Sequence, residues 1–89
     1  MITLKNQYLT VLINEFGAEL TSVNDTSGLE YIWQADPNFW KRHAPILFPI
    51  VGRLKDNQYD YQGKTYEMTQ HGFARDNQFK VESQLPTTT

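Results

Sequence analysis

Cysteine is absent from the 89 residues, which removes disulfides, thiolate zinc sites and cysteine nucleophiles from consideration. Small secreted scaffolds usually depend on such cross-links, so a cytoplasmic setting is expected. Histidine is scarce, with only His43 and His71. Two imidazoles without spaced acidic or thiol companions do not form a zinc site, so no metal is expected. Basic charge is not in excess either: eight Lys and Arg stand against ten Asp and Glu, for a net charge of −2. Without a basic run the electrostatic footprint of a nucleic-acid binder is missing. The N-terminal MITLKNQYLTVLINEF has an apolar run too short and too interrupted for a signal peptide or a membrane-spanning helix, and no membrane role is expected. Ser22, Ser27 and Ser83 lack the strand-turn-helix context of a nucleophile elbow, and no phosphate-binding glycine loop occurs.

What is present is the composition of a globular chain, 39% hydrophobic and 13% aromatic, long enough for one domain with a thin core. Tyr8–Asn14, YLTVLIN, alternates Leu9, Val11 and Ile13 with Tyr8, Thr10 and Leu12, which predicts a strand. Gly17 turns the chain into a hairpin partner over Ala18–Val23, and Asp25-Thr26-Ser27-Gly28 turns it again into LEYIW, predicting a third strand. Asp36-Pro37 signals a helix start, but Pro45 and Pro49 limit it to a short turn. APILFPIVGR, Ala44–Arg53, suits a buried extended segment ending in a tight bend. A hairpin about Gln62-Gly63 pairs Tyr59 with Tyr66 and Tyr61 with Lys64, so that Tyr59, Tyr61, Tyr66 and Met68 share one face. Gln58, Asp60, Thr65 and Glu67 take the other, wet face. QHGFARD is a loop, and FKVES, Phe79–Ser83, opens another strand. The fold class expected is all-β and antiparallel. Several of these strands have no evident partner, an arrangement complete β domains avoid, so residues 1–89 are expected to form a single, incomplete domain.

The residues that carry chemistry gather in two places. Arg53 follows Gly52 directly after the apolar PILFPIV run, where a guanidinium would emerge beside a flexible backbone point; the alternative is a surface pair with Asp56 or Asp60. His71 precedes Gly72 in QHGFARD, where both the imidazole and the backbone can approach a ligand; the alternative is a structural loop histidine. Trp33, Phe39, Trp40 and Phe73 are candidates for stacking on sugar rings, or for core.

In combination these residues resemble a known pattern. Asp36–Asp76, with W-x-R-x-A-P-I-L-F-P-x-x-G-R, then a tyrosine hairpin, then Q-H-G-F-A-R, resembles the N-terminal third of galactose mutarotase-like proteins. These form the aldose 1-epimerase family, and the resemblance is strongest to its bacterial branch encoded beside lactose genes. It implies a large antiparallel β-sandwich with a sugar cleft across one sheet, interconversion of the α and β anomers of a hexose such as galactose or glucose, and no cofactor. Ring opening requires a base on the anomeric hydroxyl and an acid on the ring oxygen. In the family these are a glutamate late in the chain and a second histidine in its middle. Neither position falls in these 89 residues, Glu67 and Glu82 do not match the base, and no catalytic residue is assigned. Arg53 and His71 match the family's sugar-contacting residues. A second branch acts on hexose 6-phosphates and holds the phosphate with arginines; Arg75 matches one of them and Arg42 is the candidate for the other. The expected partner is therefore a small sugar, an aldohexose or a hexose phosphate. A non-catalytic sugar-binding module and a purely structural β fragment are the readings from other classes.

Overall fold

Alternation of branched and polar residues near the N-terminus produces a meander of three antiparallel strands in the computed structural model, which describes residues 1–85. Strand β1 is Ile2–Lys5, β2 is Leu9–Asn14 and β3 is Glu19–Asp25, hydrogen-bonded in the order β1-β2-β3. β2 starts one residue later than its sequence suggests, because Asn6 Oδ1 accepts the backbone N–H groups of both Tyr8 and Leu9 at 2.8 Å and turns the chain there. β1 was not foreseen, since four residues of alternation are too few to stand out. Between Leu12 and Ile13 the register with β3 shifts, a bulge that bends the sheet where β3 passes from Ser22 to Leu20.

The second sheet is the tyrosine hairpin, β4 (Gln58–Tyr61) with β5 (Lys64–Glu67). Its register is the expected one: Tyr59 faces Tyr66 and Tyr61 faces Lys64. The paired rings of Tyr59 and Tyr66 stack at 5.3 Å with planes 17° apart. Short 3-10 turns at Lys55–Asn57 and Ala74–Asp76 flank the hairpin and the QHGFARD loop. The architecture is all-β and antiparallel, with no α-helix among the described residues and none long and apolar enough to cross a membrane.

Three expectations change. LEYIW is not a strand; only one isolated bridge, Asn24 with Glu30, ties it to β3. The cause is local: Glu30 Oε2 accepts the N–H of Val23 at 2.8 Å and of Ile32 at 3.0 Å, while Asp25 Oδ1 accepts those of Ser27 and Leu29. Side-chain carboxylates have taken donors that a ladder would use. FKVES likewise forms no strand, and is held at its start by Phe79 N–H to the Glu15 carbonyl, 2.8 Å. Finally, APILFPIVGR bends at Ala44, Pro49, Val51 and Gly52 and contains a cis Phe48–Pro49 bond, and it is not buried: Ile46, Leu47, Phe48 and Val51 are all exposed.

That exposure is general. Among the described residues only Met68 and Ala74 are buried apolar side chains, whereas Glu19, Thr21 and Ser22 are buried polar ones. The hydrogen-bonded centre of β3 is thus the best-covered part of the fold, and the apolar faces lie around it uncovered.

Candidate functional site

His71 is fixed by the backbone on which it folds. Gly52 carries φ +83° and His71 φ +62°, so both segments turn sharply where they meet. There the His71 N–H donates to the Gly52 carbonyl at 2.8 Å, and the Gly52 N–H donates to His71 Nδ1 at 2.8 Å. An imidazole that accepts at Nδ1 carries its hydrogen on Nε2 when neutral. The free donor therefore lies on the side where Gln70 stands, 3.4 Å away. Because Nε2–H is a donor, the Gln70 amide satisfies it only by presenting its oxygen.

Gly72 makes this clasp possible. Its φ is +76°, and a Cβ built there would overlap the Phe48 carbonyl and lie 2.7 Å from Pro49 N. The close approach lets Phe73 and Ala74 N–H both donate to the Phe48 carbonyl at 3.1 Å, with a parallel bridge between Phe48 and Gly72. The motif glycine is thus a packing requirement of the two segments. Phe48 and Phe73 close the junction edge to face at 6.5 Å.

A concavity of about 440 Å³ opens beside the clasp, lined by Trp40, Ala44, Pro45, Leu47, Gln70, His71 and Arg75. One wall depends on an aspartate-capped turn. Asp36 Oδ1 accepts Asn38 N–H at 2.9 Å, and its carbonyl accepts Phe39 and Trp40 N–H at 3.0 Å. Trp33 Nε1 then donates to the Trp40 carbonyl at 2.6 Å. The Asp36-Pro37 signal thus yields a single capped turn whose product is a placed, half-exposed indole. The next residues are anchored by Glu19, whose buried carboxylate accepts His43 N–H at 2.7 Å and Ala44 N–H at 3.0 Å. His43 itself stands 3.8 Å from that carboxylate, a structural position and not one in the concavity.

The arginines divide. Arg75 lines the concavity, donates from Nη2 to the Gln70 carbonyl at 2.8 Å, and has its Nε enclosed without an acceptor among the described residues. Arg42 is linked to it through Asp76, whose Oδ1 lies 3.0 Å from Arg42 Nη2 and whose Oδ2 lies 3.9 Å from Arg75 Nε. The two arginines singled out in the sequence are therefore neighbours across one carboxylate. Arg53 stands apart. It follows the clasped Gly52, but its Nε donates to Asn57 Oδ1 at 2.8 Å and it does not line the concavity; Asp56 and Asp60 do not pair with it among the described residues. Sequence reasoning missed Asp76, Gln70 and Glu19 as members of this assembly. Asp76 and Gln70 lay inside the quoted motif, but Glu19 gave no signal, being 24 residues from the N–H it holds.

Titratable groups elsewhere serve the turns. Serine and backbone donors, foremost the Ser22 hydroxyl, pull the Glu30 carboxyl down to about 2. The Ser27 and Tyr31 hydroxyls and the Leu29 N–H likewise pull Asp25 down to about 2, and the same contact pushes Tyr31 up. No group of three or more metal-ligating side chains gathers among the described residues.

Comparison with known proteins places this geometry. The aldose 1-epimerase family profile matches residues 1–89. The chain is 46% identical over 86 residues to the plasmid-encoded protein LacX of Lactococcus lactis subsp. lactis, covering 91% of this chain and 29% of LacX. It superposes with a TM-score of 0.91 on a galactose mutarotase related enzyme from Lactobacillus acidophilus, at 50% identity, over 94% of this chain and 28% of that one. A galactose mutarotase-like protein from Lactobacillus casei gives a TM-score of 0.90 at 48% identity, over 96% and 29% of the two chains. The chain therefore spans under a third of the length of the relatives it matches. With the family profile matched from the first residue to the last and the strands superposed on two solved relatives, the chain belongs to the aldose 1-epimerase family.

Proposed function

We propose that residues 1–89 are the opening segment of a cytoplasmic mutarotase-like enzyme that interconverts the α and β anomers of an aldohexose such as galactose or glucose, and that they contribute sugar-binding groups without its acid or base. In this reading they form one incomplete domain, completed by the strands that make up the other two-thirds of the family fold. The observation that carries the reading is the Gly52–His71 clasp: with Nδ1 occupied by a backbone donor at 2.8 Å, Nε2–H is presented beside a sugar-sized concavity. A hydrogen bond from it to a sugar oxygen strengthens as charge develops during ring opening. Trp40 supplies an apolar wall for the C–H face of a pyranose. Arg53, one residue beyond the clasp, reaches the same sugar from a neighbouring direction once Asn57 releases it.

Polarimetry on freshly dissolved α-galactose and α-glucose tests this. A full-length protein carrying this segment should equilibrate the anomers well above the buffer rate, and His71→Ala should slow it strongly. Wild-type turnover by His71→Ala on every aldose tried would show that the clasp is only structural.

A further inference from the structure

Beside the concavity, and reaching it through Arg75, stands a feature that the sugar-binding reading does not use. Arg42 and Arg75 converge on Asp76, at 3.0 Å and 3.9 Å, so one carboxylate lies between two guanidinium groups beside a site for a small polar ligand. Two guanidiniums facing a common point are the arrangement that takes up a phosphate or carboxylate from solution, because each presents a fork of N–H donors. Here that point is occupied by the protein's own anion. The contacts are few and all within this group: Arg42 Nη2 with Asp76 Oδ1, Arg75 Nε towards Asp76 Oδ2, and Arg75 Nη2 with the Gln70 carbonyl. Asp76 is held at this position by its backbone, since its N–H donates to the Phe73 carbonyl at 3.1 Å in the 3-10 turn.

We propose that Asp76 is a specificity-determining residue: it occupies the Arg42–Arg75 pair as an internal counter-ion, so that the site selects neutral aldoses and rejects their phosphates. The inference rests on the sugar reading above and names the substrate class within it. A phosphate entering the pair would meet a like charge at the place where it needs two cations, and discrimination by such repulsion is as effective as an added attraction. Without Asp76 the pair carries two uncompensated positive charges. Asp76 and Arg42 are both partly open to solvent, so the discrimination weakens as salt is added.

The test compares galactose with galactose 6-phosphate, using wild type, D76N and D76E of the full-length protein. Wild type should favour the free sugar. D76N should raise kcat/KM for the phosphate by at least about tenfold while galactose stays within about threefold, and D76E should restore the wild-type ratio. A merely structural aspartate would move both substrates together and would not respond to salt. Wild-type preference for the phosphate, or an unchanged ratio in D76N, overturns the proposal even if mutarotation itself is intact. Should neither sugar be turned over, the functional reading fails separately. Thermal unfolding with inorganic phosphate then decides on Asp76: phosphate should stabilise D76N and not wild type, and equal shifts in the two would overturn the assignment.

Discussion

A single imidazole nitrogen decides how His71 can act. Because Gly52 N–H occupies Nδ1, the ring offers one donor and no competing acceptor on the ligand side. His71→Ala in the full-length protein should lower kcat for mutarotation by about 10² or more. Its urea midpoint should move little, since a partly exposed loop ring contributes slight packing. A fall in stability that accounts for the lost rate would refute the binding role. The adjoining glycine should behave in the opposite way. Gly72 and Gly63 share a φ of +76°, but a Cβ on Gly63 meets nothing within 4 Å, whereas one on Gly72 runs into Phe48 and Pro49. Gly63→Ala should therefore cost about 1 kcal/mol, the strain of a left-handed alanine alone. Gly72→Ala must also push two backbone segments apart and should cost several-fold more, about 3 kcal/mol or above by denaturant unfolding. Equal costs at the two glycines would show that the Phe48 segment yields freely.

At the scale of elements, the turns after β3 are held by carboxylates whose ordinary pKa values lie near 4 and which the fold pulls to about 2. A depressed folded value means that the unfolded chain takes up protons first. The stabilisation from Asp25 and Glu30 is therefore complete above about pH 5 and is lost progressively as pH falls towards 2. Glu30→Gln should flatten the acid limb of the stability curve between those limits while leaving its slope at neutral pH unchanged. An identical acid limb in wild type and variant would count against these bonds. The same carboxylates explain why LEYIW, which its sequence pattern predicts as a strand, does not form one. Alternation of Leu29, Tyr31 and Trp33 was correctly seen, but Glu30 sits on the opposite face and captures the N–H groups of Val23 and Ile32. Competition of that kind depends on a side-chain rotamer, which periodicity does not encode. The Tyr59–Tyr66 register, in contrast, was legible because a two-residue Gln62-Gly63 turn leaves one pairing open. The QHGFARD motif announced His71 and Arg75, yet the bond from Gly52 to Nδ1 joins segments 19 residues apart, and no local pattern announces it.

For the whole molecule, surface area is the informative quantity. The chain exposes 7106 Å², against about 5,400 Å² for a folded monomer of this mass, an excess of about 1,700 Å². Its radius of gyration is 16.7 Å, where a compact domain of this length has about 12 Å. Phe39, Val51 and Leu29 are among the many apolar side chains left in water, and no large side chain among the described residues is fully buried. An excess of this size is about twice what one partner contributes to a standard protein interface, so it calls for a covering layer and not for a few stray contacts. The solved relatives, which this segment matches over 28–29% of their length, have the remaining chain to provide one. Alone, the 89-residue polypeptide should therefore bind a hydrophobic dye strongly, self-associate as its concentration rises, and leave the mutarotation of α-galactose at the buffer rate, because in the proposed reading the general acid and base belong to the rest of the enzyme. In a full-length protein the amides of β2, β3 and the tyrosine hairpin should become strongly protected from hydrogen exchange, and dye binding should fall away. If the isolated segment proved monomeric, dye-silent and as protected as the longer protein, its exposed apolar faces would not need the rest of the sandwich, and the reading of residues 1–89 as an incomplete domain would have to be abandoned.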